Sequence, residues 1–153
     1  MRRAAGLLIL MAGTLHAQSL ADSLLAAHNA VRQRVGVPPL VWSDNLAAFA
    51  QEWADYLVTH REFFHRPKSR YGENLFEVTG GRAAPAEVVN DWASESKNYA
   101  YSSNTCRGVC GHYTQIVWRD SKRVGCAAAR SGPTEVWACN YDPPGNVIGR
   151  RPY

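Results

Sequence analysis

The sequence predicts an α+β fold in which the helices come first and the strands last. Three segments in the first two-thirds of the chain place apolar residues at spacings of three and four, the period of an amphipathic helix. The last third carries two short β-like runs on either side of a turn that contains Gly and Pro. This order favours a sandwich built on an antiparallel sheet, and 153 residues are enough for one such domain.

The first 17 residues have the layout of a secretory signal. Arg2 and Arg3 precede an apolar run over residues 4–13, and Leu15-His16-Ala17 resembles a cleavage site. We predict cleavage after Ala17, which leaves one domain over residues 18–153; a buried N-terminal helix is the alternative.

Removal of this segment takes away two arginines and no acidic residue, so the net charge falls from +4 to +2. The remaining charges are scattered singly, which argues against a nucleic-acid-binding protein. No hydrophobic anchor follows the signal, and we expect a freely secreted monomer.

Two helices are predicted in the first part of the domain. The first covers residues 19–35 and must end before Pro38-Pro39, which cannot continue a helix. The second begins at the capping pair Ser43-Asp44 and runs to about Thr59. The residues on their apolar faces are Leu20, Leu24, Ala27, Val31, Val35, Leu46, Ala50, Trp53 and Leu57.

A third helix is predicted to begin near Pro85, a residue favoured in the first helical turn. Its inner face consists of Val88, Trp92, Glu95 and Tyr99. Glu95 is the exception in this row, because a carboxylate on an apolar face must be neutralised, paired or bound to something. It is therefore a candidate functional residue.

Three strands are predicted, over Glu73–Val78, Arg123–Ala129 and Thr134–Tyr141. The segment "TQIVW", residues 114–118, fits a helix or a strand, and its periodicity does not decide between them. The tail after Tyr141 is too rich in Pro and Gly for regular structure.

Four cysteines in an exported chain indicate two disulfides, for which three pairings exist. Cys106 and Cys110 enclose a tight loop, while Cys126 and Cys139 lie on neighbouring predicted strands. We predict the pairs 106–110 and 126–139. The alternative is a zinc site, but the spacing is not that of a zinc ribbon.

Five blocks of the sequence resemble the CAP superfamily, which comprises cysteine-rich secretory proteins, antigen 5 and pathogenesis-related protein 1. The blocks are "HNAVRQRVGVPPLVW", "AQEWAD", "YGENLF", "CGHYTQIVWRDSKRVGC" and "CNYDPPGNVIGRRPY", in that order over residues 24–153. The chain is most similar to the plant pathogenesis-related 1 type. The resemblance implies a three-layer α-β-α sandwich with a central antiparallel sheet.

The resemblance also implies a cleft with two histidines and two glutamates, which bind zinc in some members. The matching residues are His65, Glu73, Glu95 and His112, here called the tetrad. Nitrogen and oxygen ligands suit Zn²⁺ or another divalent cation. The alternative is a structural hydrogen-bond network, and the neighbouring amides Asn74 and Gln115 are candidate supporting residues in either case.

Plant-type members usually contain six cysteines, and Arg61 and Ser131 stand at the positions that match the missing pair. Because the family joins those two positions to each other, the resemblance supports the predicted pairing of the other four. It also implies that the segment before His65 is not tethered by a disulfide.

The function that the resemblance implies is binding without catalysis. We expect a secreted protein with a defence-like role that binds a sterol, a fatty acid or another apolar or extracellular partner. The alternative is a metal-dependent hydrolase or protease with Glu73 or Glu95 as the base. Ser69 and Ser94 lie near tetrad residues in the sequence, but neither has the context of a nucleophile motif.

Two further segments allow two interpretations each. Residues 98–103, "NYAYSS", can form a mobile apolar lip, or Tyr99 and Tyr101 can complete the third helix and pack on the core. In some plant-type members the last eleven residues, here 143–153, are released as a signalling peptide. The alternative is a rigid tail that lies across the domain.

Overall fold

The computed structural model describes residues 19–153, and the predicted signal segment lies outside this range. Four α-helices and six strands are found there, with one short 3-10 turn. The elements are α1 (Leu20–Arg34), β1 (Val41–Trp42), α2 (Asp44–His60), β2 (Gly72–Thr79), α3 (Pro85–Ser94), β3 (Tyr99–Ala100), β4 (Thr105–Cys106), α4 (Gly111–Ile116), β5 (Arg123–Ser131) and β6 (Thr134–Asp142).

The main sheet has the strand order β1-β5-β6-β2. Strands β2, β6 and β5 are antiparallel, as the sequence predicts. The two-residue strand β1 was not predicted, and it makes the sheet mixed because it pairs in parallel with β5. A separate two-stranded ribbon joins β3 to β4.

Helices cover both faces of this sheet, which confirms the predicted three-layer sandwich. Along β6, Val136 and Ala138 pack with α2, whereas Trp137, Cys139 and Tyr141 belong to the core shared with the other helices. This alternation follows from the two-residue period of a strand. Strand β6 is therefore buried on both sides.

Small residues let α2 approach the sheet closely. A side chain at Gly125 would meet the backbone nitrogen of Ala47 at 2.2 Å, so only glycine fits there. Farther along β5, Ala127 and Ala129 pack with buried residues of α2. The start of α2 is fixed by Ser43, whose hydroxyl accepts a hydrogen bond from the backbone of Leu46.

Arg32 of α1 joins the first helix to the segment that follows α4. Its side chain is 1% exposed and donates to four backbone carbonyl oxygens. The distances are 2.7 Å to Pro38, 2.7 Å to Ile116, 2.8 Å to Trp118 and 3.1 Å to Ser121. The guanidinium is thus satisfied by neutral acceptors without a carboxylate.

Two sequence predictions need refinement. The third helix ends at Ser94, and Glu95–Asn98 forms a 3-10 turn, so Tyr99 lies on β3 and not on a helix. The open question over residues 114–118 is resolved as the end of α4, which is helical to Ile116. Both predicted disulfides are present, Cys106–Cys110 and Cys126–Cys139, with Cα atoms 6.0 and 4.0 Å apart.

Candidate functional site

His112 and Glu95 form the first half of the candidate site. His112 is the second residue of α4, and its Nδ1 lies 2.6 Å from Oε1 of Glu95, which follows the end of α3. The other carboxylate oxygen accepts the backbone N–H groups of His112 at 3.0 Å and Tyr113 at 3.2 Å. Because the first N–H groups of a helix have no partner within the helix, Glu95 satisfies two of them and orients the imidazole at once.

This pair is largely buried. The side chains of His112 and Glu95 are 27% and 14% exposed, and the imidazole lies nearly parallel to the indole of Trp92, with ring centroids 6.1 Å apart. Glu95, the carboxylate on the apolar face of the third predicted helix, is therefore paired with His112, as a buried carboxylate requires.

His65 and Glu73 form the second half. His65 Nδ1 is 2.9 Å from Glu73 Oε1, which also accepts the backbone N–H of Arg66 at 3.0 Å. Glu73 Oε2 has only a long contact of 3.5 Å with the amide nitrogen of Asn140. The hydrogen bond to Glu73 raises the pKa of His65 above its ordinary value. The His65 side chain is 65% exposed, whereas that of Glu73 is 5% exposed.

The structure brings the tetrad together as two pairs connected through β2. Asn74, next to Glu73, donates from its amide nitrogen to the carbonyl oxygen of His112 at 3.0 Å. Successive side chains of a strand point to opposite faces, so Glu73 and Asn74 belong to opposite sides of the sheet. Asn74 thus contacts the backbone of one tetrad residue, and its supporting role stays a prediction.

Within residues 19–153, no three tetrad side chains bring ligand atoms within 4.8 Å of one another. The one group that meets this distance is His28 with Cys126 and Cys139. Those two cysteines form a disulfide and offer no thiolate, so the group is not a metal site.

The predicted supporting role of Gln115 is not seen. Its amide nitrogen donates to the hydroxyl of Ser121 at 3.1 Å, and its oxygen accepts the backbone N–H of Gly145 at 3.0 Å. Gln115 therefore holds the C-terminal tail, residues 143–153, against α4.

His28 was missed as a member of the network behind the site. Its Nδ1 lies 2.8 Å from the carbonyl oxygen of Leu24, and its Nε2 lies 2.8 Å from the hydroxyl of Tyr141. Asn74 donates to the same hydroxyl at 3.2 Å. Burial lowers the pKa of His28 to about 4. The signal was present in the sequence, because His28 follows Leu24 by four residues on the apolar face of α1.

The segment before His65 is held without a disulfide. The indole N–H of Trp53 on α2 donates to the carbonyl oxygen of Phe64 at 3.1 Å, and the two rings meet edge to face at 5.2 Å. Arg61 and Ser131 both line one cavity of about 320 Å³ at the end of α2. Their shared cavity agrees with the inference that these positions match a disulfide pair.

The tail lies across the domain. The carbonyl oxygen of Pro152 accepts the backbone N–H of Arg119 at 2.7 Å, and the hydroxyl of Tyr153 is 3.2 Å from that of Tyr113. Tyr101 stacks on Tyr153 with ring centroids 4.8 Å apart and is 45% exposed, so of the two interpretations of this segment the one that places Tyr101 in the core is wrong. These contacts agree with the rigid-tail interpretation, while release of the tail stays a prediction.

The serines near the tetrad make local hydrogen bonds. The hydroxyl of Ser94 donates to the carbonyl oxygen of Asp91, and the hydroxyl of Ser69 bonds to both backbone groups of Tyr71. Among residues 19–153, neither hydroxyl is hydrogen-bonded to a histidine, and this arrangement gives no support to a serine nucleophile. No helix in the described range is long and apolar enough to cross a membrane.

Comparison with known proteins bears on the family and the fold. The model of the CAP family, described as the cysteine-rich secretory protein family, matches residues 25–141. Pathogenesis-related protein 1C of Nicotiana tabacum is 45% identical over 150 residues, which cover 96% of this chain and 89% of that protein. Pathogenesis-related protein 1 of Arabidopsis thaliana is 45% identical over 141 residues, covering 91% of this chain and 86% of that protein.

Two solved structures share the fold. The crystal structure of NaASP2 with Zn²⁺ has a TM-score of 0.74 at 22% identity, with 88% of this chain and 85% of that chain covered. Venom allergen-like protein 4 of Schistosoma mansoni has a TM-score of 0.69 at 25% identity, with coverage of 90% and 95%. At this identity the NaASP2 match establishes the architecture alone.

Proposed function

This chain belongs to the CAP family, the cysteine-rich secretory proteins, and we propose that it is a secreted, non-enzymatic binding protein with a defence-like role whose tetrad holds a divalent cation. The defence role rests on its similarity to plant proteins named pathogenesis-related protein 1. The proposal includes cleavage after Ala17 and a monomeric mature protein.

The observation that carries the metal proposal is the way each histidine meets its glutamate. Both His65 and His112 use Nδ1 in the hydrogen bond to the carboxylate. With the proton on Nδ1, the lone pair of Nε2 remains available, which is the arrangement of metal-binding histidines that donate their other N–H to a carboxylate. In this proposal the histidines are ligands, and Glu73 and Glu95 orient them.

The two glutamates differ in what else they can do. Glu95 already accepts three hydrogen bonds. Glu73 keeps Oε2 without a close donor, and the nearby amide oxygen of Asn140 is buried without a hydrogen-bond partner among the described residues. The donor types, two imidazole nitrogens and Glu73 Oε2, are those of a Zn²⁺ site, and binding of one ion would require the two pairs to approach, since no three tetrad ligand atoms of the described residues lie within 4.8 Å of one another.

When bound, zinc would act as a Lewis acid and lower the pKa of a bound water, which is the chemistry that a hydrolase of this type would need. Glu73 is the better candidate base in that alternative, because Glu95 is fully engaged. We favour binding over hydrolysis because both candidate bases are already engaged, Glu95 by three hydrogen bonds and Glu73 Oε1 by two.

A second observation favours an apolar ligand at a separate site. A pocket of about 700 Å³ lies between α1 and the loop after it, lined by Ala26, Ala30, Val37 and the Pro38-Pro39 pair. Arg119 also lines it, and its guanidinium has no ion-pair partner among residues 19–153. A mainly apolar pocket whose lining also includes Asn29, Gln33 and the cation of Arg119 suits a fatty acid better than a neutral sterol.

The metal proposal is tested by calorimetric titration of zinc into the chelator-stripped mature protein. We expect one site in the wild type and none in His65→Ala/His112→Ala, with His60→Ala as a control, since His60 is exposed and lies outside the tetrad. Because ligation needs an unprotonated Nε2, affinity must fall as the pH decreases, beginning above the ordinary histidine pKa for His65. Equal zinc affinity in the wild type and the folded double variant would overturn the proposal.

The variant Glu73→Gln separates orientation from ligation. A glutamine keeps an oxygen that can accept from His65 and Arg66, but it replaces Oε2 with an amide nitrogen that does not bind zinc. Retained affinity assigns Glu73 an orienting role, whereas loss of about 10–100-fold or more assigns its carboxylate a direct effect on the metal.

A further inference from the structure

A second concave site lies next to the His65–Glu73 pair, on the loop over residues 66–71. It is a pocket of about 440 Å³ lined by this loop and by Phe49 of α2. Three of its lining residues, Arg66, Lys68 and Arg70, are cationic, and none is acidic. The tetrad side chains do not line it, so the pocket is separate from the proposed metal site.

Aromatic rings and Arg66 pack together in the lining of the pocket. The rings of Phe49 and Tyr71 meet edge to face with centroids 5.1 Å apart. Arg66 lies 3.7 Å from the centroid of the Phe49 ring, and its guanidinium is neutralised by Glu52 at 3.0 Å. Arg66 therefore lines the pocket, but its charge is already paired with Glu52.

The other two cations are free to bind. Within residues 19–153, Lys68 has no ion pair or side-chain hydrogen bond, and Arg70 has no carboxylate partner. Arg70 donates one N–H to the hydroxyl of Tyr71 at 2.7 Å and lies 4.9 Å from the centroid of that ring, which leaves its other N–H groups available.

The loop between these cations is held in place by Ser69. Its hydroxyl donates to the carbonyl oxygen of Tyr71 at 3.2 Å and accepts the N–H of the same residue at 3.1 Å. Lys68 and Arg70 are thus carried by a fixed turn on either side of Ser69.

We propose that Lys68 and Arg70 bind an oxyanion, the phosphate, sulfate or carboxylate group of an acidic extracellular ligand. Lys68 and Arg70 are both exposed, and each can donate charge-assisted hydrogen bonds to such a group. The aromatic floor and the neutralised Arg66 give the anion a concave seat, which scattered surface cations do not provide.

The test is a two-dimensional ¹H–¹⁵N NMR titration of the chelator-treated protein with inorganic phosphate and then sulfate at constant ionic strength. We expect saturable shifts confined to the amides of residues 66–71 and their contacts. The variant Lys68→Gln/Arg70→Gln should weaken the affinity about tenfold, the effect of losing charged hydrogen bonds partly screened by water.

The matched control is Arg82→Gln/Lys122→Gln, which removes the same charge from two exposed residues outside any ion pair of the described range. An affinity near that of the wild type in this control supports the site. Equal weakening in both double variants would mean general attraction by net charge, and it would overturn the proposal, as would the absence of saturable shifts in the wild type.

A further binding experiment with the same variants distinguishes two sources of the anion, a lipid headgroup and an acidic saccharide. Binding to phosphatidylcholine vesicles that contain phosphatidic acid, lost in Lys68→Gln/Arg70→Gln, assigns the site to a lipid headgroup. Saturable binding of a soluble galacturonate oligomer without vesicle binding assigns it to an acidic saccharide, and either result supports the site. His65→Ala/His112→Ala should bind phosphate as the wild type does, so this proposal and the metal proposal can fail independently.

Discussion

Replacement of Arg32 by methionine tests how the buried guanidinium holds the fold together. Methionine fills a similar volume but provides no donor, so four backbone carbonyl oxygens lose the hydrogen bonds that Arg32 donates. The carbonyl oxygen of Trp118 also accepts the N–H of Ser121 at 3.1 Å and keeps that partner. The oxygens of the buried residues Ile116 and Ser121 are left without their guanidinium donor, whereas Pro38 is exposed and its oxygen can accept from water.

The magnitude follows from this count. An unsatisfied buried acceptor costs about 1–3 kcal/mol, while removal of the buried charge returns part of its desolvation penalty. We expect Arg32→Met to lower the free energy of unfolding by about 3 kcal/mol, a large share of the roughly 5–15 kcal/mol typical of a domain. Arg32→Lys keeps the charge but not the fork of donors, and we expect an intermediate loss.

The assay is urea unfolding with the disulfides intact, at neutral pH, where Arg32 remains protonated although burial lowers its pKa to about 10. With a slope of about 2 kcal/mol per molar urea, the midpoint should fall by about 1.5 M. Arg34→Met is the control, because Arg34 is exposed on the same helix and should change the free energy by no more than about 0.5 kcal/mol. A loss below about 1 kcal/mol in Arg32→Met would refute the reasoning.

Two further predictions concern His28 and Arg119. Burial lowers the pKa of His28 to about 4, so between pH 6.5 and about 4 the unfolded chain binds a proton that the folded chain does not. The free energy of unfolding should fall by up to about 3 kcal/mol as the pH falls through that range. Unfolding curves of His28→Gln should show a flatter pH dependence, and an unchanged dependence would mean that another group controls it. Arg119→Gln should weaken saturable binding of a fatty acid about fivefold to tenfold and leave binding of a neutral sterol unchanged, measured by competition with a fluorescent fatty acid. Unchanged fatty-acid affinity would remove Arg119 from the pocket's function, and His65→Ala/His112→Ala is the control that should alter neither ligand.

Helices α1 and α2 and strands β2, β5 and β6 were predictable because their signals are local, whereas the two-residue strands β1, β3 and β4 were not predicted. The caps and prolines around α1 and α2 mark helix ends in the sequence itself, and the turn before Thr134 separates two strands with matched apolar runs. The end of α3 was not predictable in this way. No glycine or proline marks the change to a 3-10 turn at Glu95. The spacing of apolar residues therefore predicts a helix that continues to Tyr99, whereas Tyr99 lies on a strand.

The site was predictable in part for the same reason. Glu95 is a carboxylate on an otherwise apolar helix face. This local conflict predicts that it must be neutralised, paired or bound, although the sequence alone does not name its partner. The burial of Arg32 was not predictable, because an arginine on an amphipathic helix is normally assigned to its polar, exposed face. Its burial depends on carbonyl groups of Ile116, Trp118 and Ser121, which are 84 to 89 positions away in the chain.

Gln115 was predicted to support the tetrad because it lies near His112 in the sequence. Its partners, Ser121 and Gly145, lie in segments without regular structure, whose course no periodicity describes. Predictions from sequence neighbours fail at such residues, because the side chain is positioned by a distant loop.

The strand order β1-β5-β6-β2 has a consequence for how the protein is made. The two inner strands are the last two in the chain, so β1 and β2 have no partners until residues 123–142 have been synthesised. A chain that passes through a translocation pore amino terminus first cannot complete its sheet while this segment is still inside. In the proposed secretory route, the chain would stay open and competent for transport until nearly all of it had crossed, and it would then fold through pairings between distant residues, which are slow to form.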